Sequence, residues 1–261
     1  MPFTAESIER ATLAAVPPAA VEELPGWLLP LDEGTVGRAH SAVPLTHDAP
    51  DLALLPDIEA RYRARSLPPV FRLPVDVAAF DAFGAALRER DYVPSRPTMV
   101  MTGSAQAMAA GGRGSAAPSA VRLDAQPGDD WARVYLGEGF DPVDGGHRVR
   151  LLRRAQDAVY ASVRLDAPGR PADAGDVAAV GCACFSQGLV GVHGMRTRPR
   201  FRGLGLARQL MAAMGAEALR RGIAGAFLQV ELENYLARSL YARIGFAPAW
   251  TYVYWQQPAV R

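Results

Sequence analysis

Arg202-Gly203-Leu204-Gly205-Leu206-Ala207 is the stretch that decides the fold. It follows a strand-like run from Leu189 to Arg198 and precedes a helical run from Leu206 to Arg221. A glycine-rich turn in this place lets the backbone approach an anion without an intervening Cβ, and its N–H groups lie at the positive end of the helix dipole. The stretch therefore predicts a phosphate-binding loop, although a Gly-x-Gly alone also occurs in ordinary strand-to-helix turns.

A second pattern lies downstream, between Leu228 and Phe246. A strand-like run changes to a helical run at Asn234, a residue type favoured at the helix N-cap, and the helical run stops at Gly245, a common C-terminal cap. The chain thus predicts strand, phosphate loop, helix, strand and helix in succession.

These two stretches together resemble the GNAT superfamily of acyl-CoA-dependent N-acetyltransferases. The shared pattern is Arg-x-x-Gly-x-Ala, a strand, and then Asn, Ala, Leu-Tyr and Gly-Phe in this order, preceded by Thr197–Arg202, where the family has Val in place of Thr197. The resemblance covers roughly residues 120–255. It implies an α/β (α+β) fold, in which a mixed, mostly antiparallel sheet is flanked by helices.

Composition excludes several other classes of protein. The 261-residue chain has a formal net charge of +1, so no strong field attracts nucleic acid or an acidic membrane. No apolar run is long enough for a signal peptide or a membrane span, and we expect a cytoplasmic protein. The two cysteines, Cys182 and Cys184, lack a second Cys or His pair, which favours buried thiols and predicts no metal site.

The chain divides at a stretch of small residues. Residues 104–119 lack an apolar period and predict a flexible linker between an N-terminal domain, 1–103, and a catalytic domain, 120–261. The N-terminal segment repeats the order helix, strand, helix, aromatic turn and strand, so it resembles a smaller, degenerate GNAT-like unit in tandem with the first; a coincidence of alternating elements is the other interpretation. Residues 42–51 replace its phosphate loop without a Gly-x-Gly, so we expect no acyl-CoA site there.

The resemblance also implies which residues bind acetyl-CoA. In the family, the strand before the loop splays from its neighbour and its backbone pairs with the pantetheine arm, a role that falls here to Met195, Arg196 and Thr197. The loop amides bind the pyrophosphate, Arg202 braces the loop, and Asn234 contacts the cofactor. The predicted cofactor-binding set is Met195, Arg196, Thr197, Arg202, Gly203, Leu204, Gly205, Leu206, Ala207, Arg208 and Asn234.

Two side chains are candidates for proton transfer. By resemblance, Tyr241 lies near the cofactor sulfur and protonates the departing thiolate; the alternative is a helix aromatic packed in the core. His193, which strand alternation places on one face with Met195 and Thr197, is the predicted general base, because an imidazole suits proton removal near neutral pH; the alternative is a satisfied interior histidine. Glu231 and Glu233 are the reserve bases.

We therefore expect an N-acetyltransferase that moves an acetyl group from acetyl-CoA to a primary amine of a small molecule or peptide, by direct attack in a ternary complex. It would act without nucleic acid, membrane or metal, as a monomer or homodimer. The alternative is a non-catalytic acyl-CoA sensor, which would need neither Tyr241 nor His193. The acceptor is not determined, since the fold hosts many; aromatic residues on the last strand, Trp250, Tyr252, Tyr254 and Trp255, could receive it or simply pack.

Overall fold

The computed structural model describes residues 3–111, 121–165 and 176–258. Its helices are α1 Ala5–Ala15, α2 Leu55–Arg63, α3 Asp81–Arg88, α4 Ala105–Ala110, α5 Asp129–Leu136, α6 Pro142–Arg153, α7 Leu206–Arg220 and α8 Tyr235–Ile244. Its strands are β1 Ala20–Leu24, β2 Trp27–Leu31, β3 Val43–Pro44, β4 Val70–Pro74, β5 Val93–Ser104, β6 Val121–Asp124, β7 Ala158–Leu165, β8 Asp176–Ser186, β9 Leu189–Thr197, β10 Gly225–Glu231 and β11 Ala247–Gln256.

One large sheet organises the molecule, in the order β4-β11-β5-β10-β9-β8-β7-β6. Every neighbouring pair is antiparallel except β9 and β10, which run parallel. Helices cover both faces: α7 packs with α4 on one face, and α1 and α5 contact β8 and β9 from the other. This arrangement confirms the predicted mixed, mostly antiparallel sheet flanked by helices.

The N-terminal segment contributes strands to this same sheet. β5 lies between β11 and β10, and β4 pairs with the outer edge of β11. An isolated parallel bridge between Ala42 and Phe71 also mirrors the parallel pairing of Gly191 with Phe227. The segments 1–103 and 120–261 therefore both contribute strands to the large sheet.

The first residues of the segment predicted as a flexible linker form a helix. Ser104 ends β5 and caps α4, since its hydroxyl accepts a hydrogen bond from the Ala107 N–H at 3.1 Å. Alanine strongly favours helix, so residues 105–110 form α4 and pack against α7. Residues 112–119 lie outside the described part of the chain.

The sequence patterns did not predict the helix and the small sheet at the amino terminus. Helix α1 begins at the capping box of Thr4 and Ser7, and its buried face packs beneath β8 and β9. Strands β1, β2 and β3 form a separate small sheet. In the described ranges, no helix combines the length and the apolar character needed to cross a bilayer.

Candidate active site

The site begins where β9 and β10 separate. Their parallel pairing ends at Val192 and Leu228, although β9 continues to Thr197 and β10 continues to pair with β5 as far as Glu231. The edge of β9 that faces β10 is therefore unpaired beyond Val192. This gap is the splayed strand that the resemblance implied.

A β-bulge lies just beyond this point of separation. The register between β8 and β9 shifts between the pairs Cys182–His193 and Val180–Arg196, so an extra residue stands on β9. Gly194 has a φ of +62°, which favours glycine, and an added Cβ there would lie 3.2 Å from the Tyr135 ring. The bulge reverses the alternation of side chains along β9.

A cleft of about 720 Å³ occupies the open end between β9, α7 and α8. All of the residues that we predicted to bind the cofactor line it. The cleft is also lined by five residues that the sequence patterns did not predict, namely Phe201, Leu236, Ala237, Leu240 and Arg243. Leu204 and Leu236 have exposed fractions of 42% and 87%, so apolar surface is available there for a ligand to cover.

The loop at the base of the cleft leaves donors free. Gly203 and Gly205 have φ values of +81° and +77°, a conformation that residues with a side chain rarely adopt. Among the described residues, no backbone acceptor bonds the N–H groups of Gly203, Gly205, Leu206 or Ala207. These donors surround the N-terminus of α7, where an anion is stabilised.

The cleft is positively charged although the whole chain is nearly neutral. Among the residues that the structure describes, its lining contains four arginines and no carboxylate, against a net charge of +1 for the entire sequence. The arginines are Arg196, Arg202, Arg208 and Arg243. This local excess of charge favours a polyanionic ligand.

Asn234 precedes α8 and lines the cleft, whereas Tyr241 lies on α8 in the adjoining core and is not part of the lining. The Asn234 side chain caps the helix by accepting a hydrogen bond from the Ala237 N–H at 3.1 Å, which confirms its predicted N-cap. Tyr241 follows Ala237 by one helical turn and has an exposed fraction of 7%. Burial raises the pKa of Tyr241 to about 12, so its hydroxyl keeps its proton near neutral pH. Its ring also contacts that of Phe246, with 6.3 Å between centroids.

The structure corrects the prediction for His193 in two respects. Because of the bulge, His193 and Met195 lie on opposite faces of β9: His193 packs edge-on against Phe227 below α1, whereas Met195 packs towards α7. Burial, together with the positive charge of Arg38, lowers the pKa of His193 to about 3. An Arg38 guanidinium nitrogen lies 3.4 Å from Nδ1, and Nε2 is buried with no hydrogen-bond partner in the described residues.

The two reserve bases, Glu231 and Glu233, are not buried as His193 is. On β10, Phe227 and Gln229 contact the residues of α1, and Glu231 continues this face beyond the last pairing with β9. Glu233 lies in the turn before α8. Both side chains are exposed.

A second, smaller pocket adjoins the cleft across β9. Its volume is about 210 Å³, and it shares Met195 and Arg196 with the cleft. The remaining lining residues are Tyr135, Leu136, Phe140, Arg148 and Gly194. The two cavities therefore meet at the bulge.

The other predicted features are parts of the interior. Tyr252 and Tyr254 are buried next to α1, and Trp255 belongs to the core around α3, so these aromatic rings pack and do not form an open wall. Cys182 and Cys184 are free and buried. In residues 3–111, 121–165 and 176–258, no three His, Cys, Asp or Glu side chains are grouped as metal ligands would be.

Comparison with known proteins identifies the family. The family model described as "Probable histone acetyltransferase Rv0428c C-terminal" matches residues 4–255. The chain belongs to this acetyltransferase family, within the GNAT superfamily. It is therefore an enzyme of the GNAT N-acetyltransferase type, as predicted. The chain is also 24% identical to the uncharacterized N-acetyltransferase YobR of Bacillus subtilis over 242 residues, 92% of this chain and 94% of that protein.

Solved GNAT structures share the fold. A GCN5-related N-acetyltransferase from Kribbella flavida superposes with a TM-score of 0.68 at 16% identity, over 100% of this chain and 97% of that chain. A tandem GNAT protein from the clavulanic acid biosynthesis pathway gives 0.62 at 16% identity, over 100% and 98%. The likeness to a tandem protein extends over both segments of this chain.

Proposed function

We propose that this acetyltransferase takes its acetyl group from acetyl-CoA bound in the cleft and passes it to a primary amine of a small molecule or peptide. The observation that carries the proposal is the phosphate loop. In the described residues, four N–H groups around the start of α7 have no backbone acceptor, and they lie in a cleft lined by four arginines and no carboxylate. Acetyl-CoA supplies an acetyl group activated as a thioester.

The residues of the cleft fit this ligand. Gly203, Gly205 and the first turn of α7 would hold the pyrophosphate, and the arginines would balance the remaining phosphate charge. Beyond Val192 the free edge of β9 offers Met195, Arg196 and Thr197 for backbone hydrogen bonds to the pantetheine arm. Asn234 can keep its side chain as the N-cap of α8 while its backbone faces the ligand.

The state of the two cysteines supports direct transfer to the amine in a ternary complex, without an acyl-cysteine intermediate. Burial raises the pKa of Cys182 to about 12 and that of Cys184 to about 11, so neither forms a thiolate near neutral pH. Tyr241 keeps its phenolic proton and is the proposed acid for the leaving thiolate. The acceptor would approach through the smaller pocket, because this pocket meets the cleft at Met195.

For the general base, the surroundings favour Glu231 over His193. The His193 imidazole is a weak base, since its pKa is lowered to about 3, and its Nδ1 faces a cation. Glu231 is an exposed carboxylate on the splayed part of β10, on the face that Phe227 and Gln229 share. It would remove the amine proton directly or through one water.

The N-terminal segment is proposed to be a degenerate GNAT unit without a cofactor site. Support comes from its strand–helix–strand–helix–strand order and from the parallel bridge of Ala42 with Phe71. The cytoplasmic location, the monomeric or homodimeric state and the independence from metal, nucleic acid and membrane also stay predictions.

The matched variants Gly203→Glu and Gly222→Glu test the cofactor site. Both glycines have a positive φ and open space for a Cβ, so the backbone strain is alike, but only Gly203 lies in the cleft. A carboxylate at position 203 should weaken acetyl-CoA binding by about 100-fold or more, because like charges meet, whereas Gly222→Glu should bind as the wild type does. Calorimetry measures both affinities, and equal affinities would remove the proposal.

The chain itself simplifies the activity assay. It contains no lysine, so no side-chain amine of the protein competes as acceptor. Release of free CoA, stimulated by members of an amine library, identifies the acceptor. Tight acetyl-CoA binding without transfer to any amine would instead support a non-catalytic sensor.

A further inference from the structure

Positive charge is concentrated around the smaller pocket, and two of the arginines that supply it, Arg38 and Arg148, have no role in the proposed function. None of the described residues that line the pocket is acidic, yet two of them, Arg148 and Arg196, carry guanidinium groups. A third guanidinium, that of Arg38, lies next to His193, which precedes Gly194 of the lining.

The three arginines have few carboxylate partners. Arg148 Nε donates to Asp144 Oδ2 at 3.0 Å. Arg196 Nη1 donates to the carbonyl oxygens of Tyr135 and Leu136, at 3.0 and 2.8 Å, at the end of α5. In the described ranges, neither Arg38 nor Arg196 forms an ion pair. In the described part of the chain, the two arginines of the lining and the nearby Arg38 therefore have one carboxylate partner between them, Asp144.

Nearby acids do not cancel this charge. Asp141 caps α6 through the Asp144 N–H at 2.8 Å, and Glu138 is exposed outside the lining. Glu9, which approaches Arg38 from α1, is bound by both terminal nitrogens of the buried Arg72. The pocket is thus left with a net positive surrounding.

Tyr135 lies at the centre of the three charges. Its carbonyl binds Arg196, and its ring lies over Gly194. Arg148 lines the pocket together with Tyr135, and Arg38 lies beside His193, the residue before Gly194. The phenol and the guanidinium groups together offer hydrogen-bond donors to an anion.

The N-terminal segment places two of these charges. Arg38 belongs to a single 3₁₀ turn, Gly37–Ala39, and an added Cβ at Gly37 would lie 2.7 Å from the buried Tyr254 ring. The Thr35 hydroxyl donates to Asp144 Oδ1 at 2.6 Å and accepts from Arg148 Nη2 at 2.6 Å. The loop 33–38 thereby fixes Arg148 on α6, and Thr35 is a positioning residue.

We infer that the acceptor amine carries an anionic group, a carboxylate or a phosphate, which Arg38, Arg148 and Tyr135 bind while the amine faces the bulge at Gly194. The rings of Tyr135 and Phe140 favour an acceptor with an apolar body between the two groups. This inference rests on the proposed function. It gives the N-terminal segment a role in acceptor selection.

Matched acceptors that differ in one anionic group test the inference. Phenylalanine is compared with phenethylamine for the carboxylate, and O-phosphoethanolamine with ethanolamine for the phosphate. The wild-type enzyme should have the higher kcat/KM for the anionic member of at least one pair. The pair that shows this preference tells whether the anionic group is a carboxylate or a phosphate. Equal use of both members in both pairs would overturn the inference.

Arg38→Met and Arg148→Met remove one charge each. Each should lower the preference by about 10- to 100-fold, the range for losing a charge-assisted hydrogen bond, mainly through KM. Thr35→Val should do the same more weakly, and Arg38→Lys should restore part of the preference. The control is Arg220→Met, an exposed arginine at the end of α7, which should leave the preference unchanged.

The ratio of kcat/KM for the two acceptors is compared in each variant, because a general loss of activity cancels in this ratio. Acetyl-CoA affinity verifies that the variants fold. A preference that persists in Arg38→Met and Arg148→Met would overturn the inference and leave the acetyltransferase standing. Loss of acetyl-CoA binding in Gly203→Glu is independent of the acceptor, so the two proposals fail separately.

Discussion

Burial acts in opposite directions on the two candidate catalytic side chains. It raises the pKa of Tyr241 to about 12 and, with Arg38, lowers the pKa of His193 to about 3. Both groups are therefore neutral at pH 7, since a low dielectric disfavours the charged form of each. The phenol keeps a proton to donate, whereas the imidazole has little tendency to accept one.

Tyr241→Phe tests the acid. Phenylalanine keeps the packing against Phe246 and deletes only the hydroxyl, so acetyl-CoA affinity should stay near the wild-type value. Turnover should fall by roughly 100-fold or more, as expected for the loss of a general acid. Stopped-flow detection of free CoA measures this rate. Wild-type turnover would show that Tyr241 is structural and that another acid or solvent supplies the proton.

His193→Gln tests the burial of a neutral imidazole. Between the unfolded pKa, about 6.5, and the folded value of about 3, the unfolded chain binds one proton more. The free energy of unfolding therefore falls as the pH falls through this window, by up to about 1.4 kcal/mol per pH unit. Urea unfolding at pH 7, 6 and 5 should show a shallower decline in the variant. Parallel declines would mean that the imidazole is not buried as described.

The same variant separates the candidate bases. His193→Gln should keep the shape of the profile of kcat/KM against pH above pH 6, because His193 does not titrate there. Glu231→Gln should lower kcat/KM by about 100-fold, and Glu233→Gln, in the turn before α8, is its control. If only His193→Gln removed the rise of kcat/KM with pH, His193 would be the general base after all.

At the level of elements, α4 lies closely against α7. An added Cβ at Gly215 of α7 would lie 2.6 Å from the Ala109 nitrogen and 2.8 Å from the Ala105 carbonyl oxygen. Both contacts are backbone atoms, which cannot turn aside as a flexible side chain can. The glycine therefore permits the close approach of the two helices.

Gly215→Ala should consequently destabilise the protein by about 1–3 kcal/mol, the range for overpacking. In an exposed helix the same substitution has the opposite effect on stability, because alanine is favoured over glycine there by about 1 kcal/mol. Gly146→Ala in α6 is the control, because only the flexible Arg150 side chain lies near its added Cβ, and it should be neutral or stabilising. Chemical unfolding compares the three proteins. A stabilised Gly215→Ala would contradict the packing of α4.

At the level of the whole molecule, the order of the sheet joins the two segments. Strand β5 of the first segment lies between β10 and β11 of the second, and β11 lies between the two strands of the first, β4 and β5. The buried pair of Arg72 on β4 and Glu9 on α1 lies within the first segment, where loss of one partner would leave an unpaired buried charge.

Expression of 121–261 alone should therefore give a chain that does not fold cooperatively, because β10 and β11 lose the strand that joins them. Co-expression of 1–111 with 121–261 should restore a single unfolding transition and its increase in melting temperature with acetyl-CoA. Calorimetry of the fragments measures both. A fragment 121–261 that folds and binds acetyl-CoA alone would show that the predicted division into separate domains holds.

The sequence by itself determined the parts that depend on local chain properties. Gly203 and Gly205 specify a left-handed backbone, Asn234 and Gly245 delimit α8, and every residue that the sequence predicted for cofactor binding lines the cleft proposed to hold acetyl-CoA. These features are local because capping and positive φ depend on a few neighbouring residues.

Only the tertiary structure decided the face of His193, the mixing of strands from both segments, and the charge around the smaller pocket. One extra residue at Gly194 reverses strand alternation, and a bulge appears only in the register with a neighbouring strand. Arg38 and Arg148 are far apart in sequence, and the N-terminal loop that carries Arg38 packs on α6 through the hydrogen bond from Arg148 to Thr35. Such long-range pairing is set by packing of the whole chain, and no local pattern encodes it.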